Sequence, residues 1–250
     1  MQNELLDHEK KSIFSLSYWK EAAAQFKSTK MIVFAALIIA LRIAVKFFKI
    51  QLAPNLSLSF DGYVNALGSM VYGPAVGLVV GAISDTIGCI VKPTGDYFLP
   101  FILTEMLSSF IFGLFFWNRK IGLTRTIGAK FTVNLICNII LTSILTKWMY
   151  FVFYGIEKAE AYNLINGVRI VKNLILFPLE ALLIVFVLSA AMPALRSTKL
   201  VRREFAYIEK PNTLLLWVQI IAYTLFSVAL ILFYVFFLKD FISTHNFKLW

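Results

Sequence analysis

Residues 73–117 read GPAVGLVVGAISDTIGCIVKPTGDYFLPFILTEMLSSFIFGLFFW and decide the fold class of this chain. Two apolar segments, each long enough to enter a bilayer, flank the short polar turn KPTGD at 92–96. Polar and ionisable side chains lie inside these segments, at Ser84, Asp85, Thr104, Glu105, Ser108 and Ser109. Because ionisable groups at membrane depth are costly, they usually face a pocket or a partner. The stretch therefore predicts a polar site inside a membrane protein.

The composition of the whole chain agrees with the membrane class. Of 250 residues, 59% are hydrophobic and 15% are charged, with a mean hydropathy of +0.76, whereas soluble domains are about 45–50% apolar and about 25% charged. The net charge of +10 gathers in the gaps between apolar segments, which is typical of topology signals and disfavours a nucleic-acid partner. The two cysteines, Cys89 and Cys137, and the distant His8 and His245 predict no metal cluster, no disulfide framework and no cofactor.

Seven apolar segments follow one another along the chain, at 31–50, 60–72, 74–92, 98–117, 127–153, 168–194 and 213–238. Gly73-Pro74 interrupts the pattern, so 60–92 forms either one long kinked span or a hairpin of a short and a full helix. If the N-terminus is cytoplasmic, the hairpin topology places five lysines of the N-terminal tail and the Lys and Arg residues within 119–130 and 196–210 on the cytoplasmic side. Because cytoplasmic loops are enriched in Lys and Arg, this distribution favours the hairpin over the single span. The chain lacks GxxxxGK[ST] and any nucleophile–base set, so no enzyme activity is expected.

Two strips of residues run along the first span. Arg42, Lys46 and Lys49 lie roughly 200° from a strip of small side chains, which consists of Ala36, Ala40 and Ala44. Small residues every fourth position let another helix approach closely, although ordinary internal packing is an alternative. Lys46 and Lys49 are expected to snorkel to the membrane edge. Arg42 lies deeper, and we expect it to bind an anion.

The fifth and sixth segments carry further polar candidates. Asn134 and Asn138 share one face and either bond neighbouring helices or contact a polar ligand, with Asn138 nearer the middle of the span. Arg169, Lys172 and Asn173 also share a face, which is either an end-of-helix charge cap or, together with Arg42, a cationic mouth for an anionic solute.

Other side chains leave two readings open. Glu180, two residues after Pro178, is either ion-paired inside the bundle or directed at the solute. The aromatic residues Phe60, Tyr97 and Phe98 flank the predicted outer loops, where they stack on a flat ring or form an interfacial belt.

Several stretches resemble the S components, the substrate-binding subunits of energy-coupling factor (ECF) vitamin transporters, and their folate branch in particular. They are FAALIIALRIA at 34–44, YGPAVGLVVGAISDTIG at 72–88, KPTGDYFLPFILTEMLSSFIFGLFFW at 92–117, VNLICNIILTSI at 133–144 and RIVKNLILFPLE at 169–180. The resemblance covers roughly residues 13–195. It implies an all-α integral membrane protein that captures a vitamin from outside with high affinity. Delivery would follow association with a transmembrane coupling protein and two cytoplasmic ATPases.

The resemblance also implies residue roles. The strip Ala36, Ala40 and Ala44 would contact the coupling protein. The solute pocket would be lined by Arg42, the Thr94-Gly95 turn, Asn138, Arg169 and Asn173. A folate adds its own chemistry, since its carboxylates suit Arg42 and Arg169 and its pterin suits aromatic stacking plus an acceptor. The acceptor would be Asp85, Glu105 or Asn138, and Asp96 in the turn would repel an anionic solute.

The predicted layout is a six-helix S-component-like bundle at 31–195 plus an extra C-terminal transmembrane helix within 213–250. A cytoplasmic tail at 1–30 holds either an interfacial helix at 13–27 or a mobile segment, and 196–212 is a basic cytoplasmic linker. The predicted location is a prokaryotic cell membrane. The alternatives are an S component for riboflavin, a queuosine precursor or thiamine, of which cationic thiamine is disfavoured by Arg42 and Arg169. A lipid-processing membrane enzyme and an assembly protein without a ligand belong to other classes.

Overall fold

The structure is a computed structural model that describes residues 12–53, 56–93, 98–162 and 167–202, together with single positions at 205, 218, 221, 222, 225 and 229. The helices are α1 (Leu16–Ala24), α2 (Thr29–Val45), α3 (Asp61–Val91), α4 (Ile102–Phe116), α5 (Leu123–Val133), α6 (Thr142–Tyr154), α7 (Ile156–Ala161) and α8 (Gly167–Ser197). Short 3-10 turns at Gln25–Lys27 and Leu99–Phe101 precede α2 and α4, and a π-helical segment, Asn134–Leu141, joins α5 to α6. Apart from those single positions, the predicted segment 213–238 lies outside the described residues.

A two-stranded antiparallel hairpin follows α2. Its strands are β1 (Lys49–Ala53) and β2 (Leu56–Ser59), with Lys49 opposite Ser59. The sequence prediction continued the first helix to residue 50, and the structure corrects this. Leucine and serine alternate along β2 with the period of two that suits a strand. Lys49 therefore belongs to β1 and not to the cationic strip of α2.

The chain reverses direction inside α3. Gly73 has φ 80° and ψ −179°, a conformation that glycine adopts readily, and Pro74 follows it. Asn65 and Gly77 both meet Ser109: the Ser109 hydroxyl donates to Asn65 Oδ1 at 2.7 Å, and a Cβ atom on Gly77 would lie 3.2 Å from the Ser109 carbonyl oxygen. A straight helix would hold positions 65 and 77 about 18 Å apart along its axis. The two halves of α3 thus lie side by side, as the hairpin interpretation predicts.

Several helices are suited to a bilayer. Within the described residues, four helices are long and apolar enough to cross it, at Asp61–Val91, Leu99–Phe116, Leu123–Tyr154 and Leu176–Ser197. The number becomes five if α1 with its 3-10 turn and α2, which meet at a 78° bend, form one span. This count treats α3 as a single helix, so the six-span pattern stays a prediction. The chain is a mostly helical, multi-pass membrane protein.

A seam of glycines joins the second half of α3 to α4. A Cβ atom would lie 2.7 Å from the Glu105 carbonyl oxygen if built on Gly81, and 2.6 Å from the Pro74 backbone if built on Gly113. Neither site has room for a side chain, so the two backbones touch directly. A hydrophobic cluster joins side chains of α3, α4, α5 and α8, among them Tyr63, Phe112, Val133 and Ile184. Two smaller clusters pack α2 against α3 and α1 against Trp117.

Candidate functional site

An ion cluster lies where α2, the start of α3 and the start of α4 meet. Arg42 Nε donates to Asp61 Oδ1 at 2.8 Å, and its Nη2 donates to Asp61 Oδ2 at 2.9 Å and to Glu105 Oε2 at 2.5 Å. The Arg42 side chain is 0% exposed, against 11% for Asp61 and 30% for Glu105. One guanidinium thus faces two carboxylates, and Glu105 is the most accessible member of the cluster.

This arrangement corrects the argument that made Arg42 an anion receptor. That argument rested on the depth of Arg42 in the span, whereas the structure gives Arg42 two carboxylate partners. With both carboxylates ionised, an incoming anion would meet a net negative cluster. The missed residue is Asp61, the first residue of α3. A deeply placed arginine needs a carboxylate partner, and that requirement was the available signal.

Two polar layers adjoin the cluster. On the side of the β-hairpin, Lys46 pairs with Asp85 at 3.5 Å, so the predicted acceptor Asp85 already has a cation beside it. On the other side, Asn65 donates to Ser108 Oγ at 3.3 Å and accepts from Ser109 at 2.7 Å. This second layer is buried and pairs its own polar groups, which fits a structural role.

The π-helical segment carries a cluster of amides. Asn138 Nδ2 donates to Asn134 Oδ1 at 2.9 Å and to Asn173 Oδ1 at 3.2 Å, while Asn134 Nδ2 donates to the Asn173 carbonyl oxygen at 3.4 Å. The predicted site residues Asn138 and Asn173 are therefore brought together, and Asn134 joins them. Two of these amides lie within the π-helical segment. Because π-helical turns occur often at functional sites, this position supports the amide cluster as a candidate site.

The basic residues of α8 lie one turn from the amide cluster. Arg169 Nη1 donates to Ser143 Oγ at 3.0 Å and its Nη2 to Thr146 Oγ1 at 3.4 Å. Lys172 is half-buried on the same helix. Asn173 Nδ2 donates to the Arg169 carbonyl oxygen at 2.8 Å, which ties the amide cluster to this turn.

A second ion pair lies between α5 and α8. Lys130 Nζ is 3.0 Å from Glu180 Oε2, and both side chains are largely buried. The sequence prediction grouped Lys130 with the positive charges on the inner side of the membrane, although it lies at the start of the apolar segment 127–153. In the structure α5 already begins at Leu123, which carries Lys130 into the bundle. Of the two readings of Glu180, the structure gives the ion-paired one.

The predicted aromatic contacts divide into two groups. Phe60 packs edge-on against Tyr63, with ring centroids 5.9 Å apart. Phe98 is buried in an edge-to-face group with three other rings, those of Phe101, Trp148 and Phe153. The predicted site residues Thr94, Gly95 and Tyr97 lie outside the described residues, as does Asp96.

The alanine strip faces away from the bundle. Ala36, Ala40 and Ala44 are all exposed, and the bulkier Val33 and Leu37 beside them are exposed as well. The described helices therefore do not pack against this strip, which argues against its alternative interpretation as an internal packing surface. A cavity of 370 Å³ lies elsewhere, at the Gly73 end of the bundle, and shares no lining residue with the Arg42 or amide cluster.

Comparison with known proteins places this geometry in a family. The family described as "ECF-type riboflavin transporter, S component" matches residues 26–194. A folate transporter FolT of Clostridium novyi (strain NT) is 30% identical over 159 residues, covering 63% of this chain and 87% of the relative. A folate transporter FolT of Leuconostoc mesenteroides subsp. mesenteroides is 29% identical over 163 residues, or 64% and 85%. A crystal structure of FolT bound with folic acid has 27% identity and a TM-score of 0.52, covering 64% of this chain and 93% of that one.

Proposed function

Because the chain belongs to the family of ECF-type transporter S components, we propose that it is a high-affinity folate-binding subunit of an ATP-driven uptake transporter. An S component is a transport subunit and is not by itself an enzyme. Folate is favoured over riboflavin because both curated relatives are named folate transporters and the matching crystal structure holds folic acid. Riboflavin is the second candidate, favoured by the description of the family itself.

The observation that carries the proposal is the amide cluster with two basic residues one turn away. A folate combines a flat pterin, rich in hydrogen-bond donors and acceptors, with a glutamate tail that carries carboxylates. Asn138 and Asn173, which hydrogen-bond each other, would exchange part of this bonding for the ring edge. Arg169, held by Ser143 and Thr146, offers a planar guanidinium that suits a carboxylate. Lys172 adds a second positive charge at the same turn.

The Arg42 cluster receives a different role from the one the sequence predicted. We assign Glu105 as an acceptor for the amino edge of the pterin, since it keeps the most exposed carboxylate of the cluster. Arg42 then acts as a positioning residue that holds Glu105 through its Nη2 atom. Asp85, paired with Lys46, is a second acceptor beside it.

Residues near the predicted outer loops would close the folate pocket. Phe60 would stack on the ring together with Tyr97, and the Thr94-Gly95 turn would supply backbone groups to the solute. Phe60 sits directly before Asp61 and α3, which places its ring close to the ion cluster.

Delivery of the solute would use the exposed alanine strip. Ala36, Ala40 and Ala44 form a smooth surface against which a helix of the coupling protein could pack closely. Two cytoplasmic ATPases would complete the transporter. The Lys/Arg distribution supports a cytoplasmic N-terminus in a cell membrane, with 1–30 as an inner tail, 31–195 as the solute-binding domain, 196–212 as a basic linker and 213–250 as an added helix and tail.

Titration of the detergent-purified full chain with folic acid, followed by calorimetry, tests the proposal. We expect tight folate binding, and about a tenfold to hundredfold loss for Asn138→Ala, as when one or two buried hydrogen bonds are removed. Arg169→Ala should weaken folate binding at least as much. Arg125→Ala is the matched control, because it removes the same charge from an exposed position on α5.

Riboflavin separates the two candidate ligands in the same assay. It lacks a carboxylate, so Arg169→Ala should leave any riboflavin affinity nearly unchanged. Tighter binding of riboflavin than of folic acid by the unmodified chain would overturn the folate assignment. A protein that binds neither vitamin would overturn the solute-binding function altogether.

A further inference from the structure

The cavity at the Gly73 end of the bundle has a mixed wall. Its volume is 370 Å³, which lies at the lower end of the range of about 300–1,000 Å³ that is usual for ligand sites. Met31, Met70 and Trp117 form part of an apolar side. The lining also includes polar side chains, among them those of Lys199 and Arg202. A molecule with an apolar part and an anionic part matches this mixed lining.

Half of this wall comes from parts of the chain that lie outside the family match. The family covers residues 26–194, whereas Glu21, Gln25 and the lining residues 199–202 lie before and after it. The two added ends of the chain meet at one place, against the Gly73 reversal of α3 and the C-terminal end of α4. The cavity is therefore a feature of this chain and not of the solute pocket common to the family.

The backbone is left-handed at two positions of the cavity wall. Among the described residues, the two non-glycine residues with positive φ are Asn118, at 52°, and Lys199, at 53°. Both line the cavity. Each follows the end of a helix, α4 or α8, where a left-handed residue commonly closes the last turn, so two helix ends meet in the cavity wall.

An ion pair holds the three segments around the cavity together. Glu21 Oε1 accepts from Arg202 Nη2 at 2.5 Å and from Asn118 Nδ2 at 3.2 Å. The negative charge of Glu21 is thus offset within the wall. The side chain of Lys199 is exposed, so the polar rim as a whole keeps one positive charge in excess.

Helix α1 places the mouth of the cavity at the membrane surface. The α1 segment bends by 78° away from α2, so it runs along the surface when α2 crosses the bilayer. Phe14 and Leu16 on this segment are 90% and 70% exposed, as expected for side chains that enter the boundary between headgroups and acyl chains. Basic residues at the same end, among them Arg119 and Lys120, mark it as the cytoplasmic end.

We propose that this cavity binds the phosphate headgroup of an anionic phospholipid of the cytoplasmic leaflet. The phosphate would lie against Lys199 and against Arg202, which also binds Glu21, and the acyl chains would enter the bilayer beside the exposed Phe14 and Leu16. Anionic lipids are concentrated in that leaflet, and basic pockets at the membrane surface recognise their headgroups. The cavity lining suits a phosphate ester, which a lipid or a small soluble compound can supply.

Native mass spectrometry of the full chain, with phosphatidylglycerol and phosphatidylcholine of identical acyl chains, tests the proposal. We expect at least fivefold more bound phosphatidylglycerol than phosphatidylcholine at equal concentration. Lys199→Gln should reduce this excess at least threefold, and Arg202→Gln should do the same. Lys20→Gln is the matched control, because it removes one charge from an exposed site on α1 that does not line the cavity.

The possible outcomes separate the sources of the phosphate. Equal binding of the two lipids, or an equal loss in Lys20→Gln, would overturn the site. Displacement of phosphatidylglycerol by soluble glycerol 3-phosphate would assign the cavity to a soluble phosphate ester and overturn the lipid. If Arg202→Gln does not fold because Glu21 loses its partner, Lys199→Gln still decides, since Lys199 stands outside that ion pair. Folic acid titration of Lys199→Gln should match the unmodified chain.

Discussion

Replacing Asp61 by asparagine is the sharpest test of the Arg42 cluster. Asp61 supplies two of the three carboxylate contacts of a guanidinium that is 0% exposed. Asparagine keeps the size but removes the charge, and its amide nitrogen would face the Arg42 donors. Removing one partner of a buried ion pair typically costs about 3–5 kcal/mol. We expect Asp61→Asn to fall in that range.

Glu105→Gln is the matched comparison, since it makes the same chemical change on the other carboxylate. The Glu105 side chain is 30% exposed, and its loss leaves the Arg42–Asp61 pair intact. The expected cost is about 1.5 kcal/mol, the lower end for a hydrogen bond between charged groups. The difference between the two variants should therefore be about 1.5–3.5 kcal/mol, as follows from these two ranges.

The measurement is the free energy of unfolding in mixed micelles titrated with a denaturing detergent. Removing all three charges together, as Arg42→Met, Asp61→Leu and Glu105→Gln, should restore stability to within about 2 kcal/mol of the starting protein, because apolar groups of similar size replace buried ion pairs well. The reasoning is refuted if Glu105→Gln costs as much as Asp61→Asn. It is equally refuted if the triple variant is the least stable of the set.

Three further predictions follow from the rest of the structure. Gly73→Ala should lower the yield of monodisperse protein in size-exclusion chromatography, because it forces φ 80° on alanine and brings Cβ to 2.8 Å from the Trp117 ring; an unchanged yield would argue against the reversal. Lys130→Met should destabilise the protein by about 3 kcal/mol or more in detergent-induced unfolding, since it leaves Glu180 buried without its cation; adding Glu180→Leu should recover most of the loss, and no recovery would contradict the pairing. Ala40→Leu should abolish folate uptake by cells while leaving folate binding by the purified chain unchanged, and loss of binding would contradict the partner role of the strip.

The apolar pattern predicted the helices well because membrane helices are defined by long runs of one kind of residue. The reversal at Gly73 was also accessible, since proline after glycine breaks a helix and the charge bias chose between two topologies. The end of α2 was harder. Lys49 continues the helical spacing of Arg42 and Lys46, and only pairing with β2 takes it into a strand.

The partners of the buried charges could not be predicted from the sequence. Arg42 and Asp61 are 19 positions apart, and Lys130 and Glu180 are 50 positions apart, so each pairing depends on how the helices pack. Periodicity showed that Arg42 lies deep in a span, but not whether its charge is used by a solute or by the bundle itself. The amide cluster was easier, because Asn134 and Asn138 share a face within one segment.

The glycine seam has a mechanical consequence. The backbones of α3 and α4 touch at Gly81 and Gly113, so no side chain there can change rotamer to accommodate a displacement of one helix against the other. The second half of α3 and α4 therefore form a rigid pair. The contact of α5 and the π-helical segment with α8 adds amides and a salt bridge to its apolar side chains, and the partners of these polar groups can be exchanged. We therefore expect the path of the solute to open by movement on the α5–α8 side, while the second half of α3 and α4 stay fixed relative to each other.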